Sequence, residues 1–181
     1  MPLRFRNGWK RCMGYACLAL MAALPAVFFW PMDALTLRDD EGRVVLLAAM
    51  PPGGGFATRY IHSVELSPVE DTYFVQDGLI RLWRSRVQSH NAGLPILTLA
   101  RGRVYMDPPW IVFEGAIASL AGFTLRVGNE NLGRNHLRIG QGPWQPLYRI
   151  LPGKRLRFAA SRYALCRLLP RETEPANTAW F

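Results

Sequence analysis

Residues Tyr60 to Asp71, Tyr-Ile-His-Ser-Val-Glu-Leu-Ser-Pro-Val-Glu-Asp, bring together a histidine, two serines, two glutamates and an aspartate. Side chains of these types serve nucleophilic catalysis when an acid-oriented histidine activates a hydroxyl, and metal binding when three or more ligands converge. Spacing limits both. Read as an extended strand, Tyr60, His62 and Val64 point one way, and Ile61, Ser63 and Glu65 the other. His62 then cannot activate Ser63, nor share a metal with Glu65, unless the strand bends. Ser67, Ser85 and Ser89 are the hydroxyls a fold could bring to His62, but no nucleophile-elbow or oxyanion-loop pattern accompanies them. His90 and His136 have no ligand-like spacing to His62, and no cofactor or metal is expected. Ser67-Pro68 reads as a turn opening, and Glu70 and Asp71 as solvated or arginine-paired carboxylates. His62 stands open between a satisfied, half-buried histidine and a binding residue.

A second unusual stretch is Ser89-His90-Asn91-Ala92-Gly93-Leu94-Pro95. Asn91 and Gly93 tolerate positive φ, and Leu94 before proline favours an extended backbone. This predicts a tight, shaped loop, the kind of segment that carries recognition on a rigid β scaffold.

The elements that must position these residues are short strands. Asp39-Asp40-Glu41-Gly42 separates Leu35–Arg38 from Val44–Ala49 as a hairpin, and Pro51-Pro52-Gly53-Gly54-Gly55 is a loop. Phe56–Val64, Val69–Val75 and Leu79–Val87 follow, the last two flanking a Gln76-Asp77-Gly78 turn. Phe123–Val127 alternates apolar and polar residues; His136–Ile139, Leu147–Leu151 and Arg155–Phe158 look similar. The pattern predicts an all-β fold, a small β-sandwich or partly open barrel of short, mainly antiparallel strands. A short C-terminal helix is expected over Ala159–Leu169, followed by a polar tail.

The 181 residues fit one domain with a real core. Arg4, Arg6, Lys10 and Arg11 precede an uncharged stretch from Cys12 to Met32, with Asp33, Asp39, Asp40 and Glu41 beyond it. About twenty apolar residues at roughly 1.5 Å each match the roughly 30 Å hydrocarbon core of a bilayer. The basic flank predicts a single-pass signal-anchor with a cytoplasmic N-terminus and the remainder outside the cytoplasm. A cleaved signal peptide is the competing reading, but Leu24-Pro25-Ala26 puts a bulky residue where cleavage needs a small one. The expected organisation is flank and anchor over 1–33, an exported β domain over 34–158, and a helix and tail over 159–181. Cys166 is the only cysteine beyond the anchor, so no intrachain disulfide is expected to hold the domain.

The net charge of +9 is carried almost wholly by arginine. From Ala116 onward there are ten Lys or Arg against Glu130, Glu172 and Glu174. Nucleic acid is not expected as a partner of an exported, membrane-tethered domain. Solvated strand faces account for the arginines; anionic lipid, an acidic partner surface or an anionic solute are the functional counterparts.

The Tyr60–Asp71 segment, then Asn91-Ala92-Gly93-Leu94-Pro95, then Leu125-Arg126-Val127-Gly128, resemble in order and spacing an uncharacterised bacterial family, domain of unknown function family 1850. The similarity covers roughly Leu35 to Phe158. It departs from the family's usual Phe-Gly-Ala-Gly-Leu-Pro by carrying His90-Asn91 at the start of that loop. The resemblance implies a short, exported, singly anchored protein, often encoded beside tripartite ATP-independent periplasmic (TRAP) transporters of the TAXI type. The resulting expectation is a non-enzymatic accessory or regulatory component of solute transport, at the inner membrane, contacting a permease, a solute receptor or a small ligand. Its candidate binding residues are His62, Ser63, Glu65, Ser67, Pro68, Glu70, Asn91, Gly93, Leu94 and Pro95. A periplasmic hydrolase using His62, or an envelope- or lipid-surface-binding structural protein, are the alternatives from other classes.

Overall fold

The computed structural model describes Met13, Tyr15, Phe29 and residues 31–89 and 102–164. Among the described residues, ten strands form two sheets in which every strand pair is antiparallel. In chain order they are β1 (Pro31–Arg38), β2 (Val44–Met50), β3 (Gly55–Ile61), β4 (Pro68–Gln76) and β5 (Leu79–Val87). β6 (Gly102–Asp107), β7 (Trp110–Leu120), β8 (Gly122–Arg126), β9 (His136–Ile139) and β10 (Arg155–Ala164) complete the set, with one helical turn, α1 (Leu147–Ile150), before β10. The smaller sheet runs β2-β1-β10-β8 and the larger β6-β7-β5-β4-β3-β9. The all-β expectation holds.

Alternation explains how the sheets close on each other. Leu35 and Leu37 of β1, Leu156 and Phe158 of β10, Phe56 of β3, Tyr73 and Val75 of β4, and Ile80 of β5 are all buried in one cluster. Four rings form its centre: Phe56 and Tyr73 from the larger sheet, Phe123 and Phe158 from the smaller. Centroids lie 4.7 Å apart for Phe56–Tyr73, 4.6 Å for Phe123–Phe158 and 5.3 Å for Tyr73–Phe123, with each pair near parallel. Each such contact adds about 0.5–1.5 kcal/mol to the burial of the rings themselves.

Hairpin turns follow their sequence signals. Asp77 and Gly78 both have positive φ, 56° and 70°, as an Asp-Gly hairpin turn requires. Their backbone N–H groups donate to the Asp33 carboxylate of β1 at 3.0 and 2.9 Å, tying the β4–β5 turn to the opposite sheet. Asp39 closes the β1–β2 turn, accepting from the N–H groups of Glu41 and Arg43 and pairing with the Arg43 guanidinium at 2.6 Å.

Three expectations are corrected. Ala159–Ala164 is strand, where a helix over Ala159–Leu169 was expected; these residues pair with Pro31–Thr36 of β1, and cross-strand pairing overrides local helix propensity. Residues 165–169 of that expected helix lie outside the described residues. Leu147–Ile150 is a helical turn where a strand was expected: Pro146 presets φ at −78° and Leu151 N–H closes onto the Leu147 carbonyl at 2.8 Å. The third strand stops at Ile61 and does not reach Val64.

Of the expected anchor, Cys12 to Met32, only Met13, Tyr15, Phe29, Pro31 and Met32 are described, and the last two belong to β1. Among the described residues no helix is long and apolar enough to cross a membrane.

Candidate functional site

The end of β3 at Ile61 changes the geometry of the polar segment. Residues 62–67 form a tight turn between β3 and β4, closed by His62 N–H to the Ser67 carbonyl and Leu66 N–H to the His62 carbonyl, both 2.9 Å. Leu66 sits at φ 50°, a left-handed conformation that costs a branched side chain free energy and is held by these bonds. Inside the turn, His62 Nδ1 accepts the N–H groups of Glu65 at 3.2 Å and Val64 at 3.4 Å. His62 thus fills the role that Asn or Asp plays in Asx turns. Accepting at Nδ1 places the neutral ring's proton on Nε2.

No hydroxyl is bonded to His62 among the described residues. Ser89 Oγ donates to Glu65 Oε2 at 2.5 Å, and Ser85 is bonded to Asp71. The Ser89–Glu65 bond ties the turn to the residues that follow β5. Asn91, Gly93, Leu94 and Pro95 lie outside the described residues. Among the described residues, no three His, Cys, Asp or Glu side chains group as metal ligands.

Glu70 belongs to a different assembly. A register shift around Trp83 in β5 means that Ile80 and Leu82 face the core while Arg84 and Arg86 face outward. Simple alternation from Ile80 would have aimed both arginines inward. Arg59 of β3, Glu70 of β4 and Arg86 of β5 are cross-strand partners on this outer face, as are Arg84, Glu114 of β7 and Arg103 of β6.

Glu70 and Glu114 are buried, with side chains 8 % and 9 % exposed, and each lies between two arginines. Glu70 Oε2 accepts Arg59 Nη2 at 2.7 Å and Nε at 3.1 Å, while Arg86 stands 3.8 Å from Oε1. Glu114 takes Arg84 Nε at 3.0 Å on one oxygen and Arg103 Nε at 2.9 Å on the other, with the Nη2 groups of both also bonded. These hydrogen bonds outweigh desolvation and hold its carboxyl below the usual glutamate range.

Tryptophans fix the same arginines from above. Arg59 and Arg138 stack on Trp144 with guanidinium carbons 4.4 and 4.5 Å from the ring centroid, and Arg86 stacks on Trp110 at 4.6 Å. His136 of β9 lies beside this face, edge-on to Tyr148 at 5.2 Å. Burial, with the charges of Arg59 and Arg149, depresses its pKa.

The inward face of the same strands carries Asp71, expected to be solvated or arginine-paired and instead buried. Asp71 pairs across the strands with Thr58 and Ser85, next to the aromatic core. Burial pushes its carboxyl above the ordinary range and the Glu70 charge adds to this, against hydrogen bonds from Ser85 and Tyr73. Burial and the Asp71 charge in turn push Tyr60 up to about 12. Among the described residues no cation pairs with Asp71. The signal available in the sequence was an acid at an inward-facing position, Val69-Glu70-Asp71-Thr72-Tyr73. A small apolar cavity of about 30 Å³, lined by Leu37, Leu46, Leu137, Leu147 and Leu156 among others, has room for roughly one water.

Residues 56–145 match the family described as Domain of unknown function (DUF1850), so the chain carries a domain of that family from β3 through the bridge at Gln145. The match contains the Tyr60–Asp71 segment and Leu125-Arg126-Val127-Gly128. No curated protein and no solved structure matches the chain.

Proposed function

We propose that this family 1850 domain is a membrane-anchored recognition module in the bacterial cell envelope, an accessory component of a TRAP-type solute transport system. It docks an acidic surface of a transporter subunit on the outer face of its six-stranded sheet. One observation carries the reading: among the described residues Arg59, Arg84, Arg86, Arg103 and Arg138 share one face with only Glu70, Glu114 and Asp107 as acidic partners. The face therefore keeps a positive excess.

Its arginines are also preorganised. Buried glutamates and stacked tryptophans already hold the side chains, so a partner would find much of the ordering entropy lost in advance. Arginine and tryptophan are also the residue types that dominate binding energy at protein interfaces. Glu70 links this face to the polar segment, and His62 shapes the adjoining turn.

Co-purification from detergent-solubilised envelopes with a TRAP-type receptor and permease of the same organism tests the reading. Arg138→Glu, at an arginine that stacks on Trp144 and makes no ion pair among the described residues, is expected to weaken capture sharply while leaving the fold's melting temperature near that of wild type. Unchanged capture sinks the proposal. Lost binding to anionic-lipid vesicles with unchanged capture would assign the face to the membrane surface instead.

A further inference from the structure

Among the described residues β6 is the outermost strand of the larger sheet, and all six of its residues are exposed. Its register with β7 is regular from Gly102 to Asp107, with no bulge, lysine or proline to discourage further pairing. The opposite edge of this sheet is different: β9 is capped by Gln145, which exchanges two backbone hydrogen bonds with Leu137, 2.9 and 2.7 Å long.

Asp107 and Trp110 close a two-residue hairpin loop, so they form a hydrogen-bonded pair. Strand alternation then directs the N–H and C=O groups of Arg103, Tyr105 and Asp107 toward β7, and those of Val104 and Met106 outward. Val104 and Met106 are 56 % and 66 % exposed.

The sequence of this edge, Gly-Arg-Val-Tyr-Met-Asp, is complementary to itself. Laid antiparallel on a second copy about a two-fold axis through Tyr105, it sets Arg103 opposite Asp107 of the other chain, twice. Val104 then meets Met106 and Tyr105 meets Tyr105. The same register lets Val104 and Met106 exchange four main-chain hydrogen bonds across the seam, leaving the Arg–Asp and Tyr–Tyr positions as the close, non-hydrogen-bonded pairs.

We propose that β6 is a homodimer seam, joining two copies of this chain into one continuous twelve-stranded antiparallel sheet in the register just described. A six-residue edge is a small interface, so the association is weak in dilute solution and favoured where chains are concentrated.

The test uses full-length chain in detergent with Cys12, Cys17 and Cys166 replaced by serine. Under mild oxidation Tyr105→Cys is expected to give a disulfide-linked dimer, and Arg103→Cys alone is not. Sedimentation of uncross-linked chain should show Arg103→Asp and Asp107→Arg each weakening self-association about tenfold, since two charge pairs turn from attractive to repulsive. An equimolar mixture of those two variants should restore it, because each Asp then faces an Arg; recovery also shows that both variants fold. A wild-type chain that stays monomeric at the highest concentration, Arg103→Cys that self-links as well as Tyr105→Cys, or a mixture that does not recover would each overturn the proposal.

Discussion

The Glu70–Arg59 pair makes a prediction about which partner matters more. Glu70 is 8 % exposed at its side chain, whereas Arg59 is 41 % exposed and Arg86 27 %. Removing the acid leaves two cations that water still reaches. Removing Arg59 leaves a nearly dry carboxylate with only Arg86 nearby, at 3.8 Å. Breaking a fully buried pair costs about 3–5 kcal/mol and an exposed one about 0–1. Solvent screening of the arginine places this pair between those limits. Glu70→Gln, which keeps the shape and one acceptor, should therefore cost about 1 kcal/mol. Arg59→Met, which keeps the stem over Trp144 but removes the charge, should cost about 2–3 kcal/mol. Equilibrium urea unfolding of the full chain in detergent, followed by tryptophan fluorescence, separates them. With a slope of about 1.5 kcal/mol/M, Arg59→Met lowers the midpoint by about 1.5 M and Glu70→Gln by about half that or less. If Glu70→Gln proves the more damaging, the reasoning from unequal burial is wrong.

Three further outcomes are expected. His62→Ala should speed hydrogen exchange at the Val64 and Glu65 amides about threefold, as losing two long hydrogen bonds costs about 0.5–1 kcal/mol, while His62→Asn restores protection; indistinguishable variants would remove the capping role. The raised carboxyl of Asp71 binds its proton more tightly in the folded chain than in the unfolded one, so its contribution favours the fold below the ordinary aspartate range and is lost as pH rises through the native value. The melting temperature of Asp71→Asn relative to wild type should therefore climb between pH 4 and pH 8, and a flat or falling difference would contradict it. Gly128→Ala should lower the melting temperature by at least about 5 °C, because a Cβ there would lie 1.9 Å from the Leu132 carbonyl oxygen; a smaller drop would mean that the 128–133 loop yields easily.

Local chemistry was legible in the sequence. Asp77-Gly78 specified its turn because few residues tolerate positive φ at both positions. The alternation in Phe123–Val127 specified which side of β8 meets the core, and the Tyr60–Asp71, Asn91–Pro95 and Leu125–Gly128 segments together carried the family resemblance. Tertiary structure decided what each polar residue does. Ala159–Ala164 carries a helix-forming composition, yet β1 supplies hydrogen-bond partners along its whole length. Glu114 drew no attention in the sequence, because its arginines come from 30 and 11 residues away and meet it only through strand order. The register shift at Trp83 exchanges the faces of every residue beyond it, which a period-two pattern cannot foresee. The end of β3 at Ile61 likewise turned His62 from a strand residue facing away from its neighbours into the acceptor at the centre of their turn. Sequence spacing fixes which residues share a strand face only while the register is unbroken. Bulges and strand ends depend on distant partners, and in this protein they decide the site.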